Sequence, residues 1–167
     1  MKLGYVRLPE PGQTDAFLAG LASHLQGQGL KLAGTVQVNS GGDCAEHCDM
    51  DLHVLPAGPI LRISQNLGPS ASGCRLDAGA LEEAVALSRV RLQGADLLIV
   101  NKFGKHEAEG RGFRELIAEA LAQGLPVVIG VNGQNVAAFH SFSGALAEPL
   151  AADAAQISGW IGADIIS

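Results

Sequence analysis

Charged residues are scarce in this 167-residue chain, at 17% against roughly 25% in an average soluble protein. Cations are scarcer than anions, with 11 Lys and Arg to 17 Asp and Glu and a net charge of -6. No basic stretch reaches five residues. Neutralising a nucleic-acid backbone needs clustered cations, so no nucleic-acid partner is expected. Long apolar runs are also missing. The opening Met1-Lys-Leu-Gly-Tyr-Val6 lacks the continuous apolar stretch of a signal peptide. No segment is apolar for long enough to span a bilayer, so no membrane insertion is expected. Cysteines number only three, which, without an export signal, reads as cytosolic thiols rather than a disulfide framework. The expectation from these absences is a cytoplasmic protein.

What is present points to an α/β domain. Hydrophobic residues make up 47%, and there are 22 glycines, nearly twice the usual share of roughly 7%. Short Val, Ile and Leu runs separated by glycine suit tight strand-to-helix turns better than a helix bundle. The length suits a single domain over residues 1–167, with a core that needs no disulfide or metal.

Leu3 to Leu8 reads as a first strand, broken by Pro9-Glu-Pro-Gly12. A helix is expected to start near Thr14-Asp15, both good cap residues, and to bury Phe17, Leu18, Leu21 and Leu25. Gly27 and Gly29 end it. Leu30 to Val38 reads as a second strand, followed by a loop at Asn39-Ser-Gly-Gly-Asp43. Alternation from Asp49 to Leu55 predicts a half-buried strand, with Ile60 to Ser64 as its hairpin partner. Gly68 to Gly73 is a small-residue loop, and Asp77 caps a helix running to about Gln93. Leu97 to Val100 is a buried strand. A helix from about Gly112 to Gln123 and a strand from Pro126 to Val131 follow. The Ala-rich tail, Asn135 to Trp160, reads as two helical pieces joined near Ser143-Gly144. The predicted architecture is a three-layer α/β sandwich with a mostly parallel sheet and a β-hairpin-like insert.

Four constellations carry possible chemistry. The turn Arg7-Leu-Pro-Glu-Pro-Gly-Gln-Thr14 overlaps the phosphate-binding pattern G-x-x-x-x-G-K-[ST], in which backbone N–H groups cradle phosphates. Gly12 and Thr14 match, Arg7 replaces the first glycine, and Gln13 replaces the lysine. Pro9 and Pro11 remove two N–H donors. Such a stretch also serves as an ordinary strand-to-helix turn.

The second constellation is the strand end Asn101-Lys-Phe-Gly-Lys105. Nucleotide hydrolases of this layout present carboxylates there to hold Mg²⁺; this chain presents Asn101 and Lys102. Lys102 and Lys105 would supply the positive charge that Gln13 lacks, and Glu107 and Glu109 are the nearest candidates for a base or metal ligand. The third is the loop with Cys44, His47, Cys48 and His53, whose sulfur and nitrogen donors suit a soft metal but match no standard finger spacing. In the fourth, Arg62 and Arg75 flank a small-residue loop as an anion pocket would need.

Two resemblances join these pieces. Pro11-Gly-Gln-Thr14 before an amphipathic helix, Gly29-Leu-Lys-Leu-Ala-Gly-Thr-Val-Gln37, and Leu98-Ile-Val-Asn-Lys-Phe-Gly-Lys-His-Glu107 together resemble the THEP-type P-loop nucleoside-triphosphatases. Gly12, Gln13 and Thr14 then lie on that family's Gly-Lys-Thr, and Asn101, Lys102, Gly104 and Glu107 on its Asp, Glu, Gly and final Glu. Cys48-Asp-Met50, Arg62-Ile-Ser-Gln65, Gly73-Cys-Arg-Leu-Asp77 and Asn101-Lys-Phe-Gly104 look more closely like an uncharacterised bacterial family, a domain of unknown function. Its members often lie beside molybdate transport genes. The resemblance implies a P-loop NTPase-like fold with degenerate motifs, since the lysine and the acidic pair are both replaced.

The expected ligand is a nucleotide, with weak or no Mg²⁺, or another small phosphate-like anion. It would sit among Gly12, Gln13, Thr14, Asn101, Lys102 and Lys105, with Arg62 and Arg75 as further anion contacts. Catalysis is left open, and any hydrolysis is expected to be slow. The alternative is a non-enzymatic molybdate- or soft-metal-binding regulator using Cys44, His47, Cys48 and the arginines. A third reading, a structural partner of a transporter ATPase, fits the acidic, Ala-rich tail but has no motif of its own.

Overall fold

Two apolar runs, Leu97–Phe103 and Val127–Val131, are buried along almost their whole length, as strands covered by helices on both faces must be. A computed structural model, which describes residues 2–10, 12–40, 49–64 and 76–165, places them side by side within a seven-stranded sheet. The strands are β1 (Leu3–Val6), β2 (Leu32–Ser40), β3 (Asp49–Val54), β4 (Ile60–Arg62), β5 (Leu97–Phe103), β6 (Val127–Val131) and β7 (Ala147–Pro149). Their spatial order is β4-β3-β2-β5-β6-β1-β7. From β2 to β7 neighbours are parallel; β3 and β4 extend the other edge as an antiparallel hairpin.

Side-chain alternation along the strands divides the core into two layers. Leu97, Ile99 and Val128 face α1 (Gln13–Gly27) and α6 (Ala154–Ile165), where Leu18, Leu21, Leu25, Ile157 and Ile161 close over them. On the opposite face Leu98, Val100, Val127 and Ile129 pack under α2 (Ala78–Arg91), α4 (Arg114–Ala122) and α5 (Val136–Ser143). The short α3 (Lys105–Ala108) completes the helices. Asp77 caps α2 as expected, its carboxylate accepting the Ala80 N–H at 3.1 Å. The three-layer, mostly parallel α/β architecture expected from the sequence is the one observed.

Several boundaries differ. β5 runs on past Val100 to Phe103, because Phe103 is fully buried and pairs beside Val131. β2 likewise takes in Asn39 and Ser40, which pair with Met50 and Asp49; residues 41–43 of the expected loop lie outside the described residues, as does the Gly68 to Gly73 loop. The tail holds two helices as expected, but a third element separates them. Ala147–Pro149 forms β7 against β1, at the sheet edge where a strand proline loses no ladder bond. Among the described residues no helix is long and apolar enough to cross a membrane.

Candidate functional site

The carboxyl edge of the parallel strands opens into a cleft of about 430 Å³. Three strand ends and one helix start define it. β1 leads through the Leu8–Gly12 turn into α1, β6 ends at Val131, and β5 delivers Asn101 and Lys102. The ladder between β2 and β5 stops at Gly34 and Ile99, while β2 continues for several residues, so the sheet parts at this edge. β1 leads to a helix on one face of the sheet while its neighbour β6 leads to a helix on the other, the kind of switch point at which open α/β sheets bind ligands.

Gly12 makes the turn. Its φ of 80° lies in the left-handed region, and it serves as the N-cap of α1. Among the described residues no side chain caps this helix, so the positive end of its dipole is left uncapped at the cleft; of its first-turn N–H groups, that of Gln13 donates to the Glu10 carbonyl at 3.2 Å. Thr14 instead turns back onto the loop, its hydroxyl accepting the Leu8 N–H at 3.1 Å. Gln13 does the same: its Oε1 accepts the Glu10 N–H at 3.1 Å. Gly130 on β6 permits the close approach of this first turn, since a Cβ there would come within 2.8 Å of Leu18 and 3.1 Å of Thr14.

The most buried charge in the cleft is one the sequence reading passed over. Asp15, only 6% exposed, accepts from Asn39 Nδ2 at 2.9 Å and from Gln37 Nε2 at 3.5 Å. Lys102 Nζ lies 3.6 Å from its other oxygen. The Asn101 amide is oriented by its neighbours: its nitrogen donates to Asp15 Oδ1 at 2.9 Å and its oxygen accepts the Gln37 backbone N–H at 2.9 Å. Asn101 thereby bonds the β2 backbone where the β2–β5 ladder has ended. Asp15 follows Thr14 at a helix start, where an Asp ordinarily reads as a cap. The available signal was the polar pair Gln37 and Asn39, two apart on a strand whose first five residues are buried.

The structure brings Gly12, Thr14, Asn101 and Lys102 into one cleft and places Gln13 on its turn. Lys105 is exposed at the start of α3 and is not part of the lining. Arg62 lies on β4, bound to Asp51 at 2.5 Å and Asp49 at 3.4 Å. Cys44, His47, Cys48 and Arg75 lie outside the described residues, and His53 sits near the end of β3. Among the described residues no three His, Cys, Asp or Glu side chains gather as a metal site would require.

Glu107 and Glu109, the candidates for a base or metal ligand, lie outside the cleft lining and have other partners. Glu107 is 3% exposed, and its two oxygens accept the N–H groups of Gly104 and Phe113, each at 2.9 Å. Burial pushes its carboxyl above the ordinary range, against the pull of those hydrogen bonds. Its role is to hold the loop between β5 and α4. Glu109 is spent on Arg111, whose hydrogen bond lowers its pKa.

Comparison with known proteins gives these features a family. The family described as "Protein of unknown function (DUF2478)" matches residues 3–160. The chain belongs to DUF2478. It is also 36% identical over 147 residues to the molybdenum import ATP-binding protein ModC 2 of Bradyrhizobium diazoefficiens. That match covers 87% of the chain but spans only 16% of the relative's length. THEP1 from the hyperthermophile Aquifex aeolicus superposes with a TM-score of 0.61 at 15% identity, covering 100% of this chain and 97% of THEP1. A human cancer-related nucleoside triphosphatase does so with a TM-score of 0.57 at 16% identity, covering 99% and 96%. At such identities the likeness concerns the fold: this DUF2478 chain has a P-loop NTPase-like architecture.

Proposed function

We propose that the protein binds a nucleotide or another phosphate-like anion in the cleft between the Gly12 turn and Lys102. The observation that carries this reading is the start of α1, which has no side-chain cap and lines the same cleft as the Lys102 ammonium at the sheet's carboxyl edge. Orphan N–H groups, a helix dipole and an ammonium are the ingredients of a phosphate site. Thr14 adds a hydroxyl able to donate while it accepts from Leu8. Arg7 adds charge at the rim, its guanidinium lying against Gly133 beside the lining residues Asn132 and Gln134. The ATP-binding relative and the nucleoside-triphosphatase neighbours support the same ligand class. Hydrolysis is slow or absent, because Gln13 and Asn101 stand where a lysine and a carboxylate would stabilise the transferring phosphoryl group.

Isothermal titration with ATP, GTP and inorganic phosphate tests the reading. Saturable binding of at least one is expected, and it should weaken severalfold or more in Lys102→Met. Heat-free titrations with all three at millimolar concentration would contradict it.

The relative's name favours a setting as well as a ligand: a cytoplasmic accessory to molybdate import, working with a transporter ATPase. It also keeps a second reading in play, in which Cys44, His47 and Cys48 hold molybdate or a soft metal. Arg62, occupied by two aspartates, adds little to that site. Elemental analysis of protein equilibrated with molybdate separates the readings. Stoichiometric molybdenum lost on replacing the two cysteines supports the second; absence of both molybdenum and other metals removes it.

A further inference from the structure

Magnesium is the cofactor that a P-loop NTPase-like fold implies, held by the Thr of the loop and a strand-end Asp. The residues here do not suit it. A Mg²⁺ ion requires near-octahedral oxygen ligands that carry free lone pairs. The Thr14 hydroxyl oxygen already accepts the Leu8 N–H with one of its two lone pairs. The strand-end residue is Asn101, a neutral amide in place of a carboxylate, whose oxygen accepts the Gln37 backbone N–H. Asp15 is the carboxylate nearest to both, and its two oxygens receive Asn39, Gln37, the Asn101 amide and the Lys102 ammonium. Three of those contacts are hydrogen bonds, against about four acceptor sites on a carboxylate, and the fourth neighbour, the ammonium at 3.6 Å, is already a cation.

We infer that the Lys102 ammonium, held by Asp15, replaces the divalent cation, so that this protein binds its phosphate-like ligand without a metal. The inference rests on the proposed anion-binding reading and names its electrostatic device. Lys102 is attached to the strand end from which a metal-binding carboxylate would otherwise project. Its side chain is 32% exposed and lines the cleft, whereas Asp15 is 8% exposed beneath it. An ammonium has three N–H donors, and Asp15 is the ion-pair partner found for Lys102 among the described residues. The ammonium can therefore hold Asp15 and donate to an anion at once. Asp15, Asn39 and Asn101 fix where the charge sits, and the ligand meets a pre-placed cation instead of recruiting one.

The exchange has a consequence for ligand choice. In a metal site the nucleotide arrives as its magnesium complex, with part of its charge neutralised. Here one ammonium faces the ligand while Asp15 and Glu10 keep two negative charges in the lining. A ligand of low charge, such as a monophosphate or inorganic phosphate, therefore suits this cleft better than a metal-free triphosphate.

Titration of the full chain with ATP, AMP and inorganic phosphate, each in EDTA and in excess Mg²⁺, tests the inference. The affinity of the tightest ligand should be the same within about twofold in the two buffers, or weaker with magnesium. Lys102→Met should lose at least tenfold in affinity without recovery by magnesium, whereas Lys102→Arg should retain most of it; melting curves confirm that each variant is folded. Tenfold or greater tightening of wild-type binding by Mg²⁺ would overturn the inference while leaving the anion-binding reading intact. Failure of all three ligands in both buffers would overturn that reading, and the inference with it.

Discussion

Glu107 shows how a single carboxyl can be structural while lying close to the strand end that lines the cleft. Each oxygen accepts one backbone N–H, and Gly112 passes so close that a Cβ there would fall 1.9 Å from Oε2. Glu107→Gln keeps the size but replaces one acceptor by an amide donor, so it should cost about 1–3 kcal/mol of stability. The cost should also depend on pH. Because burial raises the folded pKa above the unfolded one, the folded state binds the extra proton between the two values. Stability contributed by Glu107 is therefore complete below the ordinary carboxylate range and declines as pH rises through the raised pKa. Urea denaturation of wild type and Glu107→Gln from pH 4 to pH 8 should show the wild-type advantage shrinking upward; an advantage that grows with pH would contradict the assignment. In the sequence this residue looked like a reactive one, because it follows two lysines and a glycine at a strand end. Asp15 was misread in the opposite direction, as a cap. Both errors have one cause: sequence position does not reveal which way a carboxylate turns.

At the scale of elements, the buried strands and amphipathic helices were legible because their periodicity is strong. Leu18, Leu21 and Leu25 occupy one face of α1, and Leu97 to Val100 form an unbroken apolar run. β7 was not legible. Three residues with a central glutamate and a proline carry no alternation, and the pairing with β1 exists only because β1 is already in place. The extension of β5 through Asn101 and Lys102 was equally hidden, since those side chains owe their position to Asp15 and Gln37 on other elements. The sheet face under α1 is sealed by α6, through Ile157 and Ile161 at no more than 1% exposure. Ile161→Ala should destabilise by about 2–5 kcal/mol, read as a lower urea midpoint. A loss below 1 kcal/mol would mean that α6 does not close this layer.

Seen as a whole molecule, the protein pairs a nucleoside-triphosphatase architecture with a cleft whose charge is arranged differently. The net charge of -6 offers no long-range attraction to an anion, so the proposed recognition would rest on local groups: the α1 N–H groups, Thr14 and Lys102. The order of strands and the place of the cleft follow from the parallel sheet, whereas the ligand follows from a few side chains at its edge. Crystals of the full chain grown with its tightest-binding ligand among ATP, AMP and phosphate, in EDTA, test that account most directly. Phosphate density against the first-turn N–H groups of α1, with Lys102 Nζ within hydrogen-bond distance and still beside Asp15, is the predicted result. Phosphate bound away from the Gly12 turn, or held through an ion on Asp15 with Lys102 displaced, would contradict it.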